Sequence, residues 1–146
     1  MPTALKAMLT GLCVMLASCA GPQSVKDARG DIDIFHGRMD TGNIDAIWQL
    51  ASNDLSGSTS KEEFAGLLAD IHEKLGNVVE SKQVGWKRNV SNSGSFVTVN
   101  METRFERGTG REEFVFRYVD EHLRLGGYHI KLKDGDQAAE DMTNKA

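Results

Sequence analysis

The sequence is poor in cysteine and proline and has no long apolar run. Only Cys13 and Cys19 occur among 146 residues, with two prolines. The main apolar stretch near the start, residues 7–16, is far shorter than the about 20 residues that cross a bilayer. Two cysteines this close to the N-terminus exclude a disulfide framework and a thiolate metal site from the rest of the chain.

Blocks of basic residues are also missing. The formal net charge is −4, and the lysine and arginine residues are scattered along the sequence without forming a basic run. A chain of this kind lacks the positive surface that binds phosphate backbones or anionic lipid. We therefore expect no nucleic-acid partner.

The opening segment has the parts of an export signal. Lys6 is its only charge, residues 7–16 are mostly apolar, and small residues lead into Cys19. The tetrad that ends there resembles the lipobox of bacterial lipoproteins: Leu16, Ala17, Ser18 and Cys19. A cysteine buried in an N-terminal helix is disfavoured, because Gly21 and Pro22 would end that helix.

The lipoprotein resemblance implies cleavage between Ser18 and Cys19 and attachment of acyl chains to Cys19. Residue 20 is Ala, and the family's signal for retention at the inner membrane is Asp at this position. The resemblance therefore implies a lipid anchor at the periplasmic face of the outer membrane, with the inner membrane as the lesser alternative. Loss of Lys6 would change the net charge from −4 to −5.

Four segments follow from this division. Residues 1–18 are a lipoprotein signal peptide, residues 19–24 a lipidated tether, residues 25–133 a single folded domain, and residues 134–146 a polar, disordered tail.

The first half of the domain has helical periodicity. Apolar residues recur at helical spacing over about residues 24–39, and again over a shorter segment after residue 43. Residues 52–58 are rich in Ser, Asn and Gly and predict a loop. The third helix is the clearest, because Ser60 and Glu63 form a capping-box pattern before its apolar face.

The second half alternates with the period of strands. Four runs, separated by turn residues, cover residues 78–90, 96–106, 112–119 and 122–133. In the last run the apolar residues change parity at Gly126-Gly127, which predicts a β-bulge that bends the strand.

Helices followed by a meander predict an α+β domain with about three helices on one face of a four-stranded antiparallel, bent sheet. This order resembles the NTF2-like/cystatin-like fold. The stretch 114–130, with its acidic turn and Leu-x-Leu-Gly-Gly-Tyr-x-Ile ending, resembles small uncharacterised bacterial lipoproteins of that fold.

No catalytic pattern is found. The four histidines are too scattered for a metal pair, so we expect neither a metal site nor a cofactor. NTF2-like enzymes place a carboxylate or an Asp-His pair between helices and sheet, but the inward strand positions expected here offer only tyrosine hydroxyls. His36 is expected to be solvated beside buried Phe35. The aromatic residues that could line a pocket are Trp48, Trp86, Phe116 and Tyr128.

The leading hypothesis is a non-enzymatic, lipid-anchored periplasmic domain that binds an envelope protein or a small apolar ligand. One alternative is an NTF2-like enzyme for a small hydrophobic substrate, using His36 or Asp40. Another is an inhibitor or immunity-type protein that acts through the loop at residues 91–94.

Overall fold

The computed structural model describes residues 23–133, which form four helices followed by four strands. Strands adjacent in sequence pair with each other, so the sheet is an open antiparallel meander in the order β1-β2-β3-β4. The predicted α+β class is confirmed. The helices are α1 (Gln23–Asp40), α2 (Ile44–Trp48), α3 (Asn53–Ser58) and α4 (Lys61–Leu75), and the strands are β1 (Val78–Ser91), β2 (Gly94–Phe105), β3 (Gly108–Val119) and β4 (His122–Leu132).

The predicted signal peptide, Cys19 and the predicted tail at residues 134–146 lie outside the described residues. The predictions made for them therefore stay predictions. Within residues 23–133, none of the helices is long and apolar enough to cross a membrane.

Helix α1 packs against β1 and β2. Its predicted apolar stripe is buried, with Ala28, Ile32 and Met39 each at most 1% exposed. At the end of the helix, both carboxylate oxygens of Asp40 accept from the backbone N–H of Val78 at 3.2 Å. This contact joins α1 to the first residue of β1.

Residues 52–58 contain a helix where the sequence predicted a loop. Ser52 is the N-cap of α3, and its Oγ accepts from the Asp54 backbone N–H at 3.3 Å. Leu55 is buried, and α3 packs against β4. The polar composition concealed a six-residue helix that depends on one cap and one buried leucine.

The capping box of α4 is confirmed. Ser60 Oγ accepts from the Glu63 N–H at 3.1 Å, and a Glu63 carboxylate oxygen accepts from the Ser60 N–H at 2.9 Å. At the other end, Arg107 from the β2–β3 turn donates to the carbonyls of Glu73 and Lys74. A cation at this end also interacts favourably with the helix dipole.

Replacing Ser60 by Ala should lower the free energy of unfolding by about 1 kcal/mol, because the first turn of α4 loses a side-chain acceptor. Urea denaturation at neutral pH measures this change. Glu63→Gln is the matched control, since Gln also completes a capping box. A Ser60→Ala loss no larger than that of Glu63→Gln would show that the cap does not stabilise α4.

The bulge predicted in β4 is present. Val115 pairs with Gly127 and Phe116 pairs with Leu125, so Gly126 is the extra residue. The bulge restores Leu125 and Tyr128 to the same buried face.

Because β4 is the outermost strand, its free backbone edge also contacts the helical layer. The Leu125 N–H donates to the Leu50 carbonyl, and the Leu125 carbonyl accepts from the Ser52 N–H, both at 2.8 Å. The segment between α2 and α3 therefore lies along β4 as a short parallel bridge between Ala51 and Leu125.

The hydrophobic core lies between the helices and the inner face of the sheet. Its buried members from the sheet are Val97, Val99, Met101, Phe105, Phe114, Phe116, Leu125 and Tyr128.

Candidate functional site

A glutamate side chain stands inside this core. Glu112 pairs with Met101 of β2 and Ile130 of β4, which places it on the inner face of the sheet. Its side chain has no solvent exposure. The expectation that inward positions carry only tyrosine hydroxyls is therefore wrong. The parity of β3 held the missing signal, because Glu112 lies two residues before Phe114 and shares its face.

Hydrogen bonds connect Glu112 directly to residues of α1, β2 and β4, and through Thr103 to a residue of β1. His36 Nε2 lies 2.8 Å from Glu112 Oε2, and the Tyr128 hydroxyl lies 2.7 Å from Oε1. The Thr103 hydroxyl also donates to Oε2, and the Ser81 hydroxyl lies 2.7 Å from that of Thr103. We call these five residues the Glu112 cluster.

The donors of the Glu112 cluster point toward the carboxylate. Thr103 has one hydroxyl proton and gives it to Glu112, so Ser81 must donate to Thr103. Burial, together with the negative charge and hydrogen bond of Glu112, raises the pKa of Tyr128 well above its ordinary value. Tyr128 therefore keeps its proton and acts as a donor.

His36 is buried at 5% exposure, where the sequence predicted a solvated side chain. That prediction is wrong because His36 continues the buried row of Ala28 and Ile32 at a spacing of four residues. Its ring makes edge contacts with Phe35 and Phe114, at centroid distances of 6.0 and 5.7 Å. A polar ring is tolerated there because Glu112 accepts its hydrogen bond.

The Glu112 cluster has the features of a structural network. Phe35 and Phe114 cover it, with ring centroids 5.1 Å apart, and each lies 5.0 Å from Tyr128. Catalysis by general acids and bases needs a side chain within hydrogen-bonding reach of the substrate. Here Glu112 is wholly buried, and its contacts are to protein groups.

A small cleft lies on the other side of Phe35, between α1, the end of α2 and the bent strand β4. We call it the α1–β4 cleft, and its volume is about 50 Å³. Apolar side chains dominate the lining, and the single charged residue among them is Asp31. The lining residues are Asp31, Phe35, Ile47, Leu50, Phe116, Leu123 and Leu125.

Comparison of the sequence with known protein families assigns the chain to a family. A family model described as a protein of unknown function, DUF4019, matches residues 35–128. The chain belongs to the DUF4019 family. The matched span contains His36, Glu112 and Tyr128 and most of the cleft lining, whereas Asp31 precedes it. Neither the curated proteins nor the solved structures that were compared gave a match.

The four aromatic residues proposed for a pocket lie in different places. Phe116 lines the α1–β4 cleft, and Tyr128 belongs to the Glu112 cluster. Trp48 packs against Phe64 of α4 at a centroid distance of 5.7 Å. Trp86 is on the edge strand β1 and is 43% exposed.

The loop at residues 91–94 is held against the domain. Arg117 donates to the Ser93 carbonyl at 2.7 Å and pairs with the carboxylate of Asp54 at 2.8 Å. Partial burial alone would raise the pKa of Asp54, but hydrogen bonds from Arg117 and Ser52 outweigh it and hold this pKa below its ordinary value. The hairpin tip is therefore tied to α3 through an ion pair.

The remaining histidines belong to neither the cluster nor the cleft. His122 and His129 are exposed, and His72 lies 2.8 Å from the side-chain oxygen of Asn77. Within residues 23–133, no three side chains of the types that bind metals come together.

Proposed function

We propose that this protein is a lipid-anchored binding domain of the bacterial envelope, with an NTF2-like/cystatin-like fold, that holds a small and mostly apolar ligand without changing it chemically. The observation that carries the proposal is the α1–β4 cleft, where six of the seven lining residues are apolar. Ligand sites are typically concave and apolar, with a few polar groups that orient the ligand.

Binding is favoured over catalysis by the positions of the ionisable groups. His36 and Glu112 resemble a catalytic dyad, but both are buried, and neither lines the cleft. The carboxylate of Asp40 is bonded to the Val78 amide. These contacts support a structural role for the residues that an NTF2-like enzyme would need.

The volume of the cleft limits the ligand. A cavity of about 150 Å³ lined by similar residues binds benzene, and the α1–β4 cleft has about 50 Å³. The cleft therefore suits a small apolar group, such as a short alkyl chain, better than a whole ring buried as in an enclosed cavity. We propose that the ligand inserts such a group and leaves its remainder outside.

The tetrad Leu16-Ala17-Ser18-Cys19 supports the location of the domain. Helix α1 begins at Gln23, close behind the proposed lipidated Cys19. A tether this short would keep the domain near the bilayer. We therefore propose the periplasmic face of the outer membrane as its site of action.

Filling the cleft should abolish ligand binding. Leu123 is half-buried, and replacing it by Phe adds volume to the lining. Short aliphatic compounds that raise the melting temperature of the full-length protein should no longer do so in Leu123→Phe. Thermal denaturation with and without each compound measures this effect.

Leu132→Phe is the matched control for this test. Leu132 is also half-buried on β4 but does not line the cleft. This variant should keep the ligand response of the wild type. If no short aliphatic compound stabilises the wild type, or if Leu123→Phe responds like Leu132→Phe, the cleft is not the binding site.

A further inference from the structure

Asp31 is the polar group that could select a ligand. It is half-buried and is the one charged residue in the cleft lining. Within residues 23–133 it forms no ion pair, in contrast to Asp45 and Asp54. A carboxylate beside an apolar cleft and without a cationic partner attracts a positive group.

The surroundings of Asp31 disfavour its own negative charge. Burial and the neighbouring charge of Asp27 raise the pKa of Asp31 above its ordinary value, and Arg38 opposes them only in part. The guanidinium of Arg38 donates at 2.8 Å to the Ala46 carbonyl. A cation placed at Asp31 from outside would therefore relieve a destabilised charge.

We propose that the α1–β4 cleft binds a small aliphatic amine, whose short alkyl group enters the cleft and whose ammonium group pairs with Asp31. This inference rests on the proposed function of the cleft and adds the charge of the ligand. Because Asp31 precedes the residues that match the family model, the preference for a cation is proposed for this chain alone.

Charge complementarity decides between ligands of the same shape. A carboxylate ligand would be repelled by Asp31 and Asp27. An alcohol could donate one hydrogen bond to the carboxylate of Asp31, but an ammonium group donates such a bond and also carries the opposite charge, which adds a Coulombic attraction. The cleft should therefore bind an alkyl amine more tightly than the alcohol with the same carbon skeleton.

The test compares isobutylamine, isobutanol and isobutyrate. Each compound is titrated into the full-length protein at pH 7, and the methyl NMR signals of Leu50, Leu123 and Leu125 report on the cleft. We expect isobutylamine to bind about tenfold more tightly than isobutanol, because only the amine gains a Coulombic attraction to Asp31, and isobutyrate to bind more weakly than both. Asp31→Asn should remove the advantage of the amine and leave binding of the alcohol unchanged.

The Asp31→Asn variant is expected to fold. Because the fold raises the pKa of Asp31, ionised Asp31 opposes folding at pH 7, and Asn removes that opposition. The melting temperature of Asp31→Asn should therefore equal or exceed that of the wild type. Asp33→Asn is the matched control, since exposed Asp33 lies on the same helix and does not line the cleft.

The outcomes separate the two proposals. Equal binding of amine and alcohol, or an amine preference that persists in Asp31→Asn, would overturn the role of Asp31 while the cleft remains a binding site. Absence of methyl shifts with all three compounds would overturn both. Loss of the preference in Asp33→Asn as well as in Asp31→Asn would point to the general charge of α1 and would also overturn the proposal.

Discussion

Glu112→Ala is expected to lower the free energy of unfolding by about 3–5 kcal/mol, because each buried polar group left without its hydrogen-bond partner costs about 1–3 kcal/mol. The substitution leaves three buried groups without their acceptor: the ring of His36 and the hydroxyls of Thr103 and Tyr128. It also creates a cavity in the core, which adds to the loss. Urea denaturation of the purified full-length protein measures the change.

Glu113→Ala is the matched control for Glu112→Ala. Glu113 is the next residue of β3 and points to the opposite face of the sheet. Its removal should change the free energy of unfolding by about 0.5 kcal/mol or less. If Glu112→Ala costs no more than Glu113→Ala, the Glu112 cluster does not stabilise the fold.

A double-mutant cycle shows whether His36 and Glu112 act as a pair. The loss in His36→Leu/Glu112→Leu should be smaller than the sum of the two single losses, because each single variant leaves a buried polar partner unsatisfied. Additive losses would contradict direct coupling between these side chains.

Cys19→Ser is expected to release the protein from the membrane fraction of its native bacterial host. The proposed acyl chains contribute about 0.8 kcal/mol for each buried CH₂ group, and one chain alone anchors a protein only marginally. Several chains on one residue would therefore account for essentially all membrane attachment. Cell fractionation and intact-mass measurement of the wild type and the variant test this expectation.

Cys13→Ser is the control for Cys19→Ser. Cys13 lies within the proposed signal peptide, so its replacement should leave the mature mass and the membrane attachment unchanged. Wild-type protein that retains Met1 and an unmodified Cys19 would contradict the lipoprotein assignment. The proposed location in the envelope would then lose its support.

The strands and their bend could be predicted because burial of one sheet face imposes a period of two on the sequence. Alternation in β2 gave its inward residues, and the change of parity at Gly126-Gly127 gave the bulge. The capping box could also be predicted, because Ser60 and Glu63 are only three residues apart in the sequence. Each of these features depends on residues that are neighbours in sequence.

Strand parity places Glu112 on the inner face of β3, but the partners of Glu112 could not be predicted by the same reasoning. In the sequence, Glu112 stands at the beginning of a predicted strand, next to a turn. Unpaired carboxylates are rare in protein cores, so a glutamate at this position resembles an exposed turn residue. Glu112 is tolerated in the core only because His36 lies 76 positions away in sequence and yet 2.8 Å away in space. Such a pair becomes recognisable only after α1 has been placed across the sheet.

The α1–β4 cleft was also beyond prediction. Its lining comes from α1, α2, the α2–α3 segment and two strands, and no single stretch contains more than a few members. Asp31 lies off the apolar stripe of α1, so its position in the sequence gives no sign of the cleft. The fold instead places it beside Phe116 and Leu123, where burial affects its pKa.

The backbone contacts of Leu125 have a consequence for self-association. An open sheet has two outermost strands, and each could recruit a strand from another molecule and so begin a fibre. On one of them, the segment of Leu50 and Ser52 already occupies part of the backbone of β4. On the other, two breaks in register and the charges of Lys82, Lys87 and Arg88 interrupt β1. The occupied backbone of β4 therefore opposes growth of the sheet at that border, whereas at β1 only the charges and the breaks in register oppose it.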